Sequence, residues 1–150
     1  MPYVTPQELI DRLGTREATA ISDRLKTGAP DVTVLAEVLA LAEDEVNAYV
    51  GRRYALPLTA PGGQVAVIPA TLKRLVIDIA RYRNTGTEVM ETEPIRNRFK
   101  DAVKLLEQIS RGEIRLGDLA LAGAGGPAAV GGNSAVRTGA KAFSDLGGVL

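Results

Sequence analysis

The sequence contains neither cysteine nor histidine. Without cysteine the chain has no disulfide, no thiol nucleophile and no thiolate metal ligand, and without histidine it lacks the most common general base and zinc ligand. No apolar run approaches the ~20 residues of a membrane span, and the first residues lack the basic and apolar regions of a secretory signal. We therefore expect a cytosolic protein that makes no contact with a membrane.

The overall composition is that of a soluble globular domain. The chain has 150 residues, of which 45% are hydrophobic and 24% charged, and a chain of this length is expected to form one hydrophobic core. Its net charge is zero, but residues 1–50 carry 9 acidic and 4 basic side chains, whereas residues 51–150 carry 9 and 14. This asymmetry suits self-association through oppositely charged faces, and the alternative is two separately solvated halves.

Two short helices are predicted near the N-terminus. Thr5 and Glu8 have the spacing of a capping box around Pro6, and Gly14 provides a stop. A second, weaker helix is predicted from Thr15 to Leu25. The first helix has a small apolar face, so we expect it to pack against a larger element.

Three longer helices follow, each with apolar residues at steps of three and four. The first is predicted from a cap at Asp31 to about Arg53, the second from Pro69 to Asn84–Gly86, and the third from Thr92 to Gly112. The sequence therefore predicts an all-α fold in residues 1–116. We expect a small bundle of three long helices and two short N-terminal ones.

The last segment, residues 117–150, has a different composition. It contains 9 glycines and 8 alanines, and such small side chains bury too little surface to offset the entropy lost on ordering. We predict an extended, flexible tail that becomes ordered only when it docks on a partner. The residues expected to make that contact are Arg137, Phe143, Leu146, Val149 and Leu150.

The sequence offers no convincing catalytic centre. The acidic clusters at 43–45 and 88–93 are typical of a solvated helix face and of a helix N-terminus. The glycine-rich loops lack the Lys-Ser or Lys-Thr of a P-loop. Asp78 lies in an apolar helix between Arg74 and Arg81, and ion pairing within that helix is the favoured interpretation. We therefore expect no enzymatic activity, no cofactor and no metal.

Several basic stretches on the long helices leave a second function open. Arg52-Arg53, Lys73-Arg74 and Arg96 to Lys100 can contact the phosphate backbone of DNA without reading its sequence. The alternative prediction is therefore a structural protein that contacts DNA non-specifically.

Taken together, several segments resemble one family, the small neck or head-to-tail connector proteins of Mu-like tailed bacteriophages and prophages. The most specific of them is Tyr49-Val50-Gly51-Arg52-Arg53-Tyr54-Ala55-Leu56-Pro57-Leu58. The other similar segments are Tyr3 to Gly14, Ser22 to Arg24, Pro69 to Arg83 and Arg98 to Gly112.

This resemblance implies a structural adaptor in the neck of the virion, assembled in the bacterial cytoplasm. Family members are expected to form a ring, commonly of twelve subunits, between the portal protein of the DNA-filled head and a tail-side neck or tail-terminator protein. Genome DNA would pass through the ring. Asp78, Arg81, Arg53 and Tyr54 would then serve in helix packing or in contacts around the ring.

Overall fold

The computed structural model describes residues 1–86 and 90–123. These residues form five helices: α1 (Pro6–Leu13), α2 (Thr15–Ser22), α3 (Val32–Val50), α4 (Ala70–Arg83) and α5 (Glu93–Arg111). The described ranges contain no regular β-strand, only two isolated β-bridges. The predicted all-α fold with three long and two short helices is therefore confirmed.

The N-terminal helices begin and end largely where the sequence predicts. The Thr5 hydroxyl accepts a hydrogen bond from the Glu8 N–H at 3.2 Å, and the Glu8 carboxylate accepts one from the Thr5 N–H at 2.8 Å, which completes the capping box. Gly14 has φ 85° and separates α1 from α2. This left-handed φ is accessible to glycine without steric cost.

The predicted end of α2 at Leu25 was wrong, because the helix ends at Ser22. The Asp23 carboxylate accepts hydrogen bonds from the Thr27 and Gly28 N–H groups at 2.7 and 2.6 Å. Aspartate side chains favour such local bonds to the backbone over continued helix. The same backbone N–H groups, Thr27 first, lower the pKa of Asp23.

The cap of α3 is confirmed, but its end is not. The Asp31 carboxylate accepts from the Thr33 and Val34 N–H groups at 2.9 and 3.3 Å, whereas the helix ends at Val50 rather than Arg53. The next N–H groups bond three residues back, from Arg52 to Tyr49 and from Arg53 to Val50. This tighter turn ends the helix.

The core lies between the three long helices. Helix α3 packs against both α4 and α5, and α1 and α2 cover α3. The predicted apolar faces of the three long helices are buried. Their fully buried residues include Leu35, Val46, Leu72, Ile79 and Leu106. We refer to α1 to α5 and this shared core as the helical body.

The chain after α5 returns to the end of α3. Ala120 donates to the Thr59 carbonyl at 2.8 Å and accepts from the Ala55 N–H at 2.9 Å, and Ala122 donates to the Arg53 carbonyl at 2.8 Å. Leu119 is buried. The packed part of the chain thus extends beyond residue 116, at which the helical domain was predicted to end, and includes the first residues of the predicted tail.

Candidate assembly surface

Tyr54 is a packing residue of the subunit itself. It is only 2% exposed, and its hydroxyl accepts a hydrogen bond from the Leu116 N–H at 2.8 Å. Its neighbour in space is Leu121, with which it forms an antiparallel bridge. Tyr54 therefore joins the end of α3 to the segment that follows α5.

Arg53 packs beside Tyr54 against the C-terminus of α5. Its guanidinium lies over Gly112, where an added Cβ would come within 2.6 Å of the Arg53 Cζ. Gly112 has φ 79° and is the left-handed cap of α5. The helix dipole favours a cation at this end. A side chain at residue 112 would displace the movable end of Arg53, so the glycine is required here chiefly for its left-handed backbone angle.

Asp78 is half-buried on α4 and has no ion-pair partner within 4.0 Å among the described residues. The predicted pairing with Arg81 does not form, since Arg81 makes a forked ion pair with Glu17 of α2. Burial raises the pKa of the Asp78 carboxyl, and the positive charges of Arg98, Arg74, Arg12 and Arg81 oppose that rise.

Three long-range ion pairs join the acidic N-terminal region to the basic helix α4. They are Glu17 with Arg81, Glu8 with Lys73 at 2.7 Å, and Glu45 with Arg83 at 2.7 Å. Part of the charge asymmetry between the two halves of the sequence is therefore neutralised inside one subunit.

Three basic side chains without such a partner line a groove between α4 and α5. Arg74, Arg98 and Lys104 form its walls together with Asp78 and Asp101, and its volume is about 410 Å³. None of the three basic groups lies within 4.0 Å of a carboxylate oxygen in the described part of the chain. We call this feature the α4–α5 groove.

The acidic clusters considered as catalytic candidates have structural partners. Glu43 accepts from the Tyr3 and Val4 N–H groups at 2.6 and 3.1 Å, Glu45 binds Arg83, and Glu91 binds Arg96. Residues 1–86 and 90–123 contain no group of three or more acidic, histidine or cysteine side chains positioned for a metal. None of the helices in these ranges is long and apolar enough to cross a membrane.

Three exposed apolar residues lie on the segments that pair with the chain after α3. Val65 and Val67 are 81% and 90% exposed, and Leu121 is 37% exposed. A cavity of about 620 Å³ lies beside Leu121, lined by Tyr54, Ala55, Thr59, Pro61, Gly62, Gly63, Arg115 and residues 117–121. Exposed apolar residues beside a cavity are typical of a surface that binds a partner.

Comparison with known proteins assigns this chain to a family. The family model described as Bacteriophage Mu, Gp36 matches residues 3–131. The chain belongs to this family. It is 35% identical over 115 residues to gene product J of Escherichia phage Mu, a match that covers 75% of this chain and 74% of that protein. It is 29% identical over 115 residues to the Mu-like prophage FluMu protein gp36 of Haemophilus influenzae, covering 77% and 75%.

The gp36 family match includes the helical body and the segment that returns to α3. The predicted docking residues Arg137, Phe143, Leu146, Val149 and Leu150 lie both beyond the matched residues and outside the described residues. Sequence reasoning missed the packing of residues 119–122, because the glycine- and alanine-rich composition of residues 117–150 as a whole predicted a segment that buries too little surface to be ordered. The isolated Leu119 and Leu121 were the available signal.

Proposed function

We propose that this gp36-family protein is a structural subunit of the neck of a Mu-like tailed phage. It would form a ring, commonly of twelve subunits in the family it resembles, between the portal protein and a tail-side neck or tail-terminator protein. The observation that carries this proposal is the family match over residues 3–131. That span includes all the segments on which the resemblance to neck connectors rests.

The polar chemistry of the described residues supports a structural rather than an enzymatic role. Glu8 and Asp31 cap helices. Glu43 binds main-chain N–H groups and Glu45 forms an ion pair. An adaptor needs a rigid body and exposed contact surfaces. The α4–α5 groove on the helical body, and the exposed Val65, Val67 and Leu121 on the segments around the end of α3, provide such surfaces.

The predicted docking residues supply the experiment that tests this proposal. We expect the double variant Phe143→Ala with Leu146→Ala to bind purified portal at least tenfold more weakly, since burying one such side chain contributes about 1.5–3 kcal/mol. Ser144→Ala, between the two sites, is the matched control and should bind like the unmodified chain. Binding is measured by sedimentation of portal complexes, and rings are counted by electron microscopy. Unchanged binding by the double variant would contradict the docking role.

A second candidate, non-specific contact with DNA, is favoured by the α4–α5 groove. Its three cations Arg74, Arg98 and Lys104 lack carboxylate partners among the described residues, so their charges are available to phosphates. Removing one cation that binds a phosphate makes the slope of log affinity against log salt shallower by about one. We expect Arg98→Gln to weaken a gel-retardation signal on duplex DNA, and Lys26→Gln, on an exposed loop, to leave it unchanged. Absence of binding at physiological salt would leave the adaptor role alone.

A further inference from the structure

Two isolated β-bridges join three segments of the chain around the end of α3. The central segment is residues 53–60, one side is residues 119–122, and the other side is residues 64–67. The bridge between Tyr54 and Leu121 joins the first side, and the bridge between Thr59 and Val65 joins the second. We call these three segments together the exit ribbon.

The two outer sides of the exit ribbon face in opposite directions. The Thr59 carbonyl accepts from the Ala120 N–H at 2.8 Å, and the Ala60 N–H donates to the Gln64 carbonyl at 2.9 Å. These two groups belong to the same peptide unit, and in a trans peptide the C=O and the N–H point in opposite directions. Residues 119–122 and residues 64–67 therefore lie on opposite sides of the central segment.

The first outer edge is the main chain of Leu119 and Leu121. In the antiparallel bridge of Leu121 with Tyr54, the hydrogen bonds are made by the flanking residues Ala120 and Ala122. The N–H and C=O of Leu121 consequently point away from the ribbon. No described residue bonds to the main-chain groups of Leu119 or Leu121.

The second outer edge is the main chain of Val65 and Val67. The hydrogen bond beside the Val65 bridge is made by Gln64, so the Val65 N–H and C=O face outward. Here too, the described parts of the chain supply no main-chain partner for Val65 or Val67. Exposed edge strands are normally protected by charged residues or proline, yet residues 64–68 are Gln-Val-Ala-Val-Ile.

We propose that these two edges pair between copies of this chain, so that residues 65–67 of one subunit add to residues 119–121 of the next. The main chains would complete each other's hydrogen bonds. Val65 and Val67 would cover Leu121 and enter the 620 Å³ cavity beside it. This inference rests on the proposed function, because it names the contact between neighbours in the ring.

The arrangement favours a ring over a two-fold dimer. A contact between two different surfaces of the same chain is heterologous, and repeating it produces a closed ring when the rotation closes. The two edges differ in residues and face opposite ways, as a heterologous contact requires. An unprotected apolar edge next to an apolar cavity is also the geometry by which extended segments add to a sheet edge.

The absence of cysteine in the sequence permits a direct test by disulfide cross-linking. Full-length Val67→Cys and Leu121→Cys subunits are oxidised separately and as an equal mixture, with Val65→Cys as a second partner for Leu121→Cys. A disulfide forms only when the Cβ atoms approach to about 4 Å. We expect cross-linked dimers in the mixtures and not in the single variants. Leu41→Cys, which is also exposed, is the control and should not cross-link with either partner.

The outcomes separate this contact from the proposed function. Oligomers that form without a cross-link in the mixtures overturn the edge pairing and leave the adaptor role standing. Cross-linking within the Val67→Cys sample alone indicates a two-fold contact and also overturns it. A chain that remains monomeric, both free and with portal, overturns the adaptor role and this inference together.

A second variant tests the main-chain part of the contact. Val65→Pro removes an N–H that has no partner within the described residues, and proline is tolerated on edge strands. We expect the helical circular dichroism to be unchanged and the subunit concentration at half-assembly to rise about tenfold. Val65→Thr keeps the N–H and the branched shape and should assemble normally. Normal assembly of Val65→Pro would contradict pairing through this edge.

Discussion

The helical body and the exit ribbon satisfy their polar groups in different ways. In the body, caps such as Thr5 and Asp31 bind the free N–H groups of helices, and ion pairs such as Glu17 with Arg81 join one helix to another. In the ribbon, a few main-chain hydrogen bonds hold the segment, while Val65 and Val67 remain exposed. The comparison teaches that the helices of the body bind most of their own end groups, whereas the ribbon leaves main-chain groups of Val65 and Leu121 without a partner among the described residues.

The largest expected effect comes from removing the hydroxyl that ties the ribbon to the body. Tyr54→Phe leaves the Leu116 N–H without its acceptor in a buried position, and an unsatisfied buried donor costs about 1–3 kcal/mol. We expect the free energy of unfolding to fall by about 2 kcal/mol in urea denaturation. Amide hydrogen exchange should quicken at residues 116–122 more than in α3.

Tyr49→Phe is the matched control for that prediction. Tyr49 is half-buried on α3, and its hydroxyl has no hydrogen-bond partner among the residues that the structure describes. We expect Tyr49→Phe to change the free energy of unfolding by less than about 0.5 kcal/mol. If the two variants lost the same free energy of unfolding, the Tyr54 hydroxyl would not be what holds the ribbon in place.

A smaller effect is expected from the ion pairs that join α1 and α2 to α4. The Glu17 and Arg81 side chains are each 21% exposed, whereas those of Lys73 and Glu8 are 38% and 42% exposed. Because solvent screens exposed pairs more strongly, we expect a coupling energy of about 1 kcal/mol for the first pair and about 0.5 kcal/mol or less for the second. Double-mutant cycles with alanine at both positions of each pair measure these values.

Salt provides the control for the ion-pair comparison. The coupling between Glu8 and Lys73 should decrease more than that between Glu17 and Arg81, and most of it should disappear between about 0.1 and 1 M salt. Absence of coupling between Glu17 and Arg81 at low salt would mean that charge does not hold α2 beside α4. The packing of α2 on α1 and α3 would then hold that helix in place.

The fold of the body was predictable because each helix has local signals. Thr5, Gly14, Asp31, Thr92 and Gly112 mark helix termini in the sequence, and the apolar steps of three and four define the buried faces. The errors lie at the ends of α2 and α3. There, tight turns and the Asp23 side chain replaced helical hydrogen bonds, and periodicity does not detect such competition.

The candidate surface was less predictable because it depends on contacts between distant residues. Tyr54 with Leu116, Arg53 with Gly112, and Glu17 with Arg81 are each separated by more than fifty residues. The sequence identified Arg53, Tyr54, Asp78 and Arg81 as residues of interest but not their partners. Arg81 pairs with Glu17 rather than with Asp78, three residues away, because the packing of α2 on α1 and α3 places Glu17 beside it. Local spacing in the sequence does not contain that information.

The smallest expected effect concerns a half-buried acid of the body, Asp78. Asp78 is half-buried without an ion pair within 4.0 Å among the described residues, and burial raises the pKa of its carboxyl. A raised folded-state pKa means that the native state binds its proton more tightly than the unfolded state, so ionisation of Asp78 destabilises the native state. Its protonated form contributes stability below the unfolded pKa, and that contribution is lost as pH rises through the folded pKa.

Asp78→Asn keeps the shape of the side chain and removes this ionisation. We expect the variant to be more stable than the unmodified chain at pH 7 by less than about 1 kcal/mol, with the difference shrinking as the pH falls into the range in which carboxyls titrate. Asp101→Asn, an exposed acid of the same α4–α5 groove, should show little difference at any pH. The free energy of unfolding of both variants is measured by urea denaturation at pH values from about 3.5 to 7. These values cover the range in which ordinary carboxyl groups titrate. If Asp78→Asn were instead less stable at pH 7, attraction from Arg98, Arg74 and Arg12 would exceed the cost of burial, and Asp78 would join the acids that stabilise the body.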